Sequence, residues 1–388
     1  MGVCLAVAWR WTPEVQLLLC LSRVRLDPDH AIAARQLLAG IEDWPMFFEL
    51  AAEHGMAPLV SYHLTNLPAP VPLAVRERAQ RELRSHATRN MQLAGELIRV
   101  LGYLRQQQIT AAAYKGVALA RQFYGRQVLR QVSDVDILVP QEQVPRAGQL
   151  LAELGYRPIQ AMTPRQERAL LHTGCELALW SPDKRVQLEI HWNVAPAYVG
   201  ISVKKLGLWD RLQTMDWDGT PVAVPSTGDL LILLCVHGAK HRWQELKWIG
   251  DLHALVGANP QLDWPALMAA AQNLGTRRVL LLGLRLTHEL YGLSLPGEVH
   301  AAMAADGRLA RLSRAVYASL FVHPHRPHGP LRSSAFQLST RDSTSAQIRS
   351  GLALLLQPNA RDLAPNVFPW TARLRRPLRL LAEHLLGW

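Results

Sequence analysis

The spacing of apolar residues divides the chain into three stretches. From Thr12 to about Arg105 they recur every three to four positions, which predicts helices only. Thr12-Pro13-Glu14 reads as an N-cap with proline at the first helical position, followed by Val15, Leu18 and Leu19. Asp43-Trp44 starts another helix with Phe47, Leu50 and Ala51 as its stripe, and His54-Gly55-Met56-Ala57-Pro58 ends one helix and restarts the next. Val75 to Arg105, polar and studded with Leu and Ala, predicts one or two long helices.

Past Ile109 the period falls to two. Ile109 to Tyr114 predicts a short strand, Lys115-Gly116 a turn, and Val117 to Tyr124 a helix. Asp134-Val135-Asp136-Ile137-Leu138-Val139 reads as a strand stopped by Pro140. Val135, Ile137 and Val139 share one face; Asp134 and Asp136 share the other. Gln141 to Leu154 is an amphipathic helix closed by Gly155. Glu176 to Trp180 and Val186 to Trp192 form a hairpin around Ser181-Pro182-Asp183-Lys184, with Gln187, Glu189 and His191 on its polar face. After Asn193 the composition is loop-like, and Val222-Ala223-Val224 before Pro225 is at most a short edge strand.

The helical period then returns. Ser226-Thr227-Gly228-Asp229 caps an apolar helix that continues through His237-Gly238-Ala239-Lys240-His241, with Gly238 the place for a kink. Run on to Leu255, this helix puts Lys240, Gln244, Lys247 and Asp251 on one stripe. That stripe is either a wall of a nucleotide cleft or a solvated face with a Lys247–Asp251 pair. Asp263 to Leu290 is further helix, and His323 to Asp342, rich in Pro, His, Ser, Thr and Arg, reads as a surface loop or flexible excursion. The tail from Phe368 carries Arg373, Arg375, Arg376 and Arg379 along a Leu-rich helix, suited to an anionic membrane surface, glycan, nucleic acid, a partner helix or its own core.

With 388 residues, 49% hydrophobic and 19% charged, the chain has a sizeable core and room for two or three domains. The net charge of +11 points to an anionic partner. Cys4, Cys20, Cys175 and Cys235 have neither zinc nor disulfide spacing and suit a reducing compartment. No secretory signal is evident at Met1 to Trp11, and the apolar runs Leu230 to Val236 and Gly351 to Leu356 fall short of the roughly 20 residues that span a bilayer. The expectation is a cytoplasmic protein without a transmembrane segment.

Chemistry concentrates between Lys115 and Glu189. Paired carboxylates repel unless a cation neutralises them, and oxygen ligands suit Mg²⁺ or Mn²⁺. A glycine at a strand-to-helix turn lets backbone amides approach phosphate, and Lys115 adds a point charge. Arg130 either holds phosphate or pairs with the acids, and Ser133 either caps the turn or offers its hydroxyl to phosphate. His191 either orients Glu189, contacts substrate or makes a structural hydrogen bond. His237 and His241, four apart on a helix, lack a clearly placed third zinc ligand.

Lys115-Gly116, then a helix, then Arg130, Ser133 and Asp134-Val135-Asp136 at a strand start resemble the DNA polymerase β-type nucleotidyltransferase superfamily. More narrowly, the chain resembles the bacterial uncharacterised nucleotidyltransferase family, and related Lys-Gly forms occur in abortive-infection toxin nucleotidyltransferases. The resemblance extends to Leu188-Glu189-Ile190-His191-Trp192, to His237 through Asp251 and to the Arg-Arg-Pro-Leu-Arg tail. The chain departs from the wider superfamily where Lys115-Gly116 replaces a glycine-serine turn.

The resemblance implies an α/β nucleotidyltransferase fold, its small mixed β-sheet flanked by N- and C-terminal helical regions. The expected division is a helical region over 1–108, a catalytic core over 109–225 and a helical region with a basic tail over 226–388. It implies Asp134, Asp136 and Glu189 as catalytic, metal-holding carboxylates for Mg²⁺ or Mn²⁺. Lys115, Gly116, Arg130, Ser133, Lys240, Lys247 and Asp251 are the expected nucleotide-binding residues. The implied reaction moves a nucleoside monophosphate from a nucleoside triphosphate to an acceptor hydroxyl, with a small-molecule or polysaccharide-related acceptor favoured. A toxin-like enzyme acting on RNA, a kinase- or sugar-modifying relative and a non-catalytic nucleotide-binding protein are the alternatives.

Overall fold

The computed structural model describes residues 11–322, 330–357, 359, 362, 376–380 and 382. The apolar start and Arg373 and Arg375 of the tail lie outside them. Five helices come first: α1 (Pro13–Leu21), α2 (Pro28–Leu38), α3 (Trp44–Glu53), α4 (Ala57–Asn66) and α5 (Leu73–Gln106). Pro sits at the start of four of them, and the carboxylates of Asp27 and Asp43 cap α2 and α3 by accepting from the amides of His30 and Met46. The polar stretch from Val75 to Arg105 is a single helix.

The sheet follows. β1 (Ala112–Ala113) leads through the Lys115 turn into α6 (Gly116–Phe123), and β2 (Val135–Leu138) carries Asp136. Then come α7 (Val144–Glu153), β3 (Arg157–Pro158), α8 (Pro164–Thr173), β4 (Glu176–Trp180) and β5 (Gln187–His191). The strand order is β1-β2-β5-β4-β3. β2 and β5 run parallel and every other neighbour antiparallel, so the sheet is mixed. Val135, Ile137, Leu188 and Ile190 enter a core shared with α5 and α7, which leaves the opposite face to the polar side chains. Arg89 of α5 donates to the carbonyls of both Ser133 (2.9 Å) and Arg185 (2.7 Å), just ahead of β2 and β5.

After the short α9 (Val203–Leu206), the expected loop instead forms a hairpin, β6 (Gln213–Trp217) with β7 (Thr220–Val224). Its turn is Asp218-Gly219, both at positive φ (51° and 86°), a tight-turn pair whose meaning the loop-like composition obscured.

The C-terminal helices are α10 (Thr227–Lys240), α11 (Leu246–Ala258), α12 (Trp264–Leu274), α13 (Arg277–Tyr291), α14 (Gly297–Ala305), α15 (Leu309–Leu320), α16 (Pro330–Ser339) and α17 (Thr344–Leu356). The continuous helix to Leu255 does not form. The chain leaves the helix after Lys240, Arg242 and Trp243 both taking φ of 57°. Gly238 does not kink α10. It makes room for the fully buried Trp243 indole, which a Cβ there would meet at 2.4 Å. Part of the expected loop before Asp342 is also helical, as α16. These helices and α1 to α4 share a second core, and no helix of the described residues is long and apolar enough to cross a membrane.

Candidate active site

On the polar face of the sheet the parallel register sets Asp136 beside Glu189 and Leu138 beside His191. The antiparallel register adds Ala178 beside Glu189 and Glu176 beside His191. Residues paired across neighbouring strands share a face, so one row reads Asp136, Glu189, Ala178. Asp134 stands one step before β2. Glu189 thus meets Asp136 from the neighbouring strand as expected, whereas Asp134, expected on the same strand, lies outside it.

Lys115 approaches from the turn before α6. Its backbone takes φ 54° and ψ −145°, a conformation that non-glycine residues avoid, and Gly116 follows at φ 46°. This strained turn sends the Lys115 ammonium to 3.1 Å from Asp136 Oδ1. His191 Nε2 reaches the same oxygen at 2.7 Å and Glu189 Oε2 at 3.2 Å. Gln187 donates to Glu189 Oε1 at 2.8 Å and fixes that carboxylate.

Burial resists ionisation of Asp136, yet Lys115 and His191 hold its carboxyl well below the usual range. Burial likewise opposes the charge on Lys115, but Asp136, Asp134 and Glu189 raise its pKa. For His191, burial and the Lys115 charge oppose protonation, and its bonds to Asp136 and Glu189 outweigh them. For Asp134, burial, then Asp136 and Glu189, outweigh the pull of Lys115 and Lys247 and push it up to about 6.

The site forms the floor of a cleft of about 330 Å³. Lys115, Gly116, Arg130, Ser133, Lys240 and Lys247 all line it. Asp251 does not. It is fully buried and accepts from Arg130 Nε and Nη2 at 2.8 Å each and from Tyr124 Oη at 2.7 Å. The expectations that Asp251 binds nucleotide or pairs with Lys247 are thus corrected, and the fork of Arg130 is committed to Asp251. Lys247 pairs with Glu245 at 2.7 Å, and its stem packs over Gly55, where a Cβ would clash at 2.4 Å. The lysines reach the cleft across a break between two helices, not along one stripe.

Glu176 and Trp248, assigned no role from the sequence, also line the cleft, together with Gln244 of the expected stripe. Glu176 Oε2 accepts from Lys240 at 3.0 Å and lies 3.4 Å from His191 Nδ1. Alternation along β4 was the available signal, but its register against β5 was not. His237 and His241 lie 4.7 Å apart between ring centroids and pack edge-on or tilted against Trp248 at 5.5 and 5.2 Å, and burial lowers both pKa values.

Among the described residues, one group of three side chains has ligand atoms close enough to hold a metal ion: Asp136, Glu189 and His191, all within 4.8 Å. Two of the three donors are carboxylates, which fits a divalent cation that prefers oxygen; Asp134, expected among the ligands, is not in this group.

The family described as uncharacterised nucleotidyltransferase matches residues 41–292, more than half of the chain. The chain belongs to that family. As a nucleotidyltransferase it has the expected architecture, a small mixed sheet between helical regions. Among curated proteins nothing matches. The solution structure of the antibiotic-resistance factor ANT(2'')-Ia is similar at 16% identity, over 59% of this chain and 98% of that one, with a TM-score of 0.28. A likeness that loose carries no weight here, so the nucleotidyltransferase assignment stands on the family match.

Proposed function

We propose that this nucleotidyltransferase moves a nucleoside monophosphate from a nucleoside triphosphate to the hydroxyl of a small-molecule or glycan acceptor. The observation that carries the reading is the in-register pair Asp136 and Glu189, with Asp134 and the Lys115 ammonium beside it on the floor of a polar cleft. Asp134, Asp136 and Glu189 would hold Mg²⁺ or Mn²⁺, which when bound neutralises the charge that builds on the transferring phosphoryl group. Lys115 and Lys247 meet the phosphates, and the N-terminus of α6 adds its partial positive charge. Glu189 takes the proton of the acceptor hydroxyl. The acceptor oxygen bonds to the α-phosphorus, the bond to the bridging oxygen breaks, and pyrophosphate leaves with that electron pair. Gln187 and His191 keep Glu189 aimed.

The test supplies each α-labelled nucleoside triphosphate with Mg²⁺ or Mn²⁺ and a cell extract, then follows the label and pyrophosphate. Transfer by the parent and its loss in Asp136→Asn and Glu189→Gln are expected. No transfer from any nucleotide, or equal transfer by the variants, overturns the reading.

A further inference from the structure

A second pocket, of about 420 Å³, opens on the same face of the sheet next to the carboxylates. It shares Glu176 and Lys240 with the nucleotide cleft, so the ion pair of those two residues is the partition between them. Ala178 is where the pocket touches the row of charges. It stands in register beside Glu189, on the side away from Asp136. Ala178 lines the pocket while Glu189 lines the nucleotide cleft, so on this row only a methyl group lies between the pocket and that carboxylate, and a longer side chain would add to the barrier.

From this geometry we infer that the second pocket is the acceptor site, taking an uncharged, hydroxyl-rich molecule of about mono- to disaccharide size. The inference rests on the nucleotidyltransferase reading and names its acceptor. The volume is that of a small-molecule site, which typically spans roughly 300–1,000 Å³. The walls mix apolar surface from Met162, Leu170 and Tyr198 with the amides of Gln160 and Gln357. Such a mixture suits a sugar, whose ring face is apolar and whose hydroxyls pair with amides. The charges in the wall are balanced: Lys240 is held by Glu176 at 3.0 Å, and Arg376 by Asp362 at 2.8 Å. A strand of nucleic acid needs a groove of uncommitted cations that tracks its backbone; this pocket offers paired ones. A hydroxyl delivered past Ala178 loses its proton to Glu189 and bonds to the α-phosphorus of a nucleotide on the far side of the partition.

The test uses the full chain, its Ala178→Leu variant, which narrows the opening, and Met162→Trp, which fills the pocket from a loop outside the sheet. A fluorescent nucleoside triphosphate with Mn²⁺ reports the nucleotide cleft; all three proteins are expected to bind it within about twofold, equivalent to less than ~0.5 kcal/mol. α-Labelled nucleotide and cell extract report the acceptor. The parent is expected to label a low-molecular-weight fraction whose acceptor is destroyed by periodate, which cleaves vicinal diols. Ala178→Leu and Met162→Trp should lower that transfer roughly tenfold or more, because displacing a nucleophile by ~1 Å costs about that or worse. Parental rates in both variants, or label in ribonuclease-sensitive or polymeric material, overturn the inference. Failure of the parent to bind nucleotide overturns instead the reading on which it rests.

Discussion

Arg130 and Asp251 meet in a fork of two 2.8 Å hydrogen bonds, both side chains buried, and so lock α11 against the loop that leads into β2. Asn90 of α5 holds the other side of that loop through the carbonyls of Gln127 and Arg130. Removing one partner strands the other in a dry site. Asp251→Ala should therefore cost roughly 3–5 kcal/mol in urea unfolding, whereas the paired change Arg130→Met with Asp251→Leu should cost less than the single one. A loss below about 1 kcal/mol for Asp251→Ala would make the pair a surface-like contact.

The two aspartates should respond oppositely to removal of charge. Asp136 neutralises the buried Lys115 ammonium, so Asp136→Asn leaves that cation without its counter-charge and should lower the melting temperature in the presence of EDTA. The carboxyl of Asp134 is raised to about 6 by burial and its acidic neighbours, so Asp134→Asn should stabilise metal-free protein by about 1–3 kcal/mol at pH 7. Equal melting shifts for the two variants would contradict this division of roles. Both should lose nucleotide transfer.

Gly238 is open to a direct steric test. Its missing Cβ is the space in which the Trp243 ring lies, at 2.4 to 2.7 Å from where that atom would be. Gly238→Ala must displace an indole that is wholly enclosed, and overpacking of that kind costs about 1–3 kcal/mol. Alanine is the better helix former, so an unchanged or raised unfolding midpoint would refute the packing account.

Acid should weaken the fold through His253 before the carboxylates other than Asp134 titrate. Burial, then Arg23 and His30, lower His253 from 6.5 to about 4, so the unfolded chain binds the extra proton first. Stability is then full above about pH 6.5 and is lost as pH falls towards 4, with roughly 2 kcal/mol of it gone between pH 7 and 5. His241, lowered to about 3, adds a loss of the same sign. His253→Phe keeps the stack on Tyr291, 4.9 Å between rings, and removes one titrating group. Its stability should fall less between pH 7 and 5 than that of the parent; an identical fall would exclude His253 as a source.

What the sequence showed was local. The alternation in Asp134 to Val139 and Val186 to Trp192 reported the faces of β2 and β5, and capping residues reported the starts of α1, α3 and α10. Non-local events stayed hidden. Arg130 and Asp251 lie 121 positions apart, so helical spacing alone paired Asp251 with Lys247. The break after Lys240 comes from an indole tucked under Gly238, a tertiary effect that no propensity of the segment itself announces. Glu176 joined the site through the β4–β5 register, and β6 was lost because its polar residues do not alternate with apolar ones clearly enough.

Arg89 ties this local and distant information together. One guanidinium holds the backbone at the starts of both β2 and β5, on a helix with no chemistry of its own. α5 thus acts as a jig. Both strands take their place from it, and so does the spacing of Asp136 and Glu189. The lysines are fastened to the same frame, Lys240 through Glu176 of β4 and α11 through the Arg130–Asp251 fork, so the fit to a triphosphate is a property of one braced unit, set far from any atom that reacts.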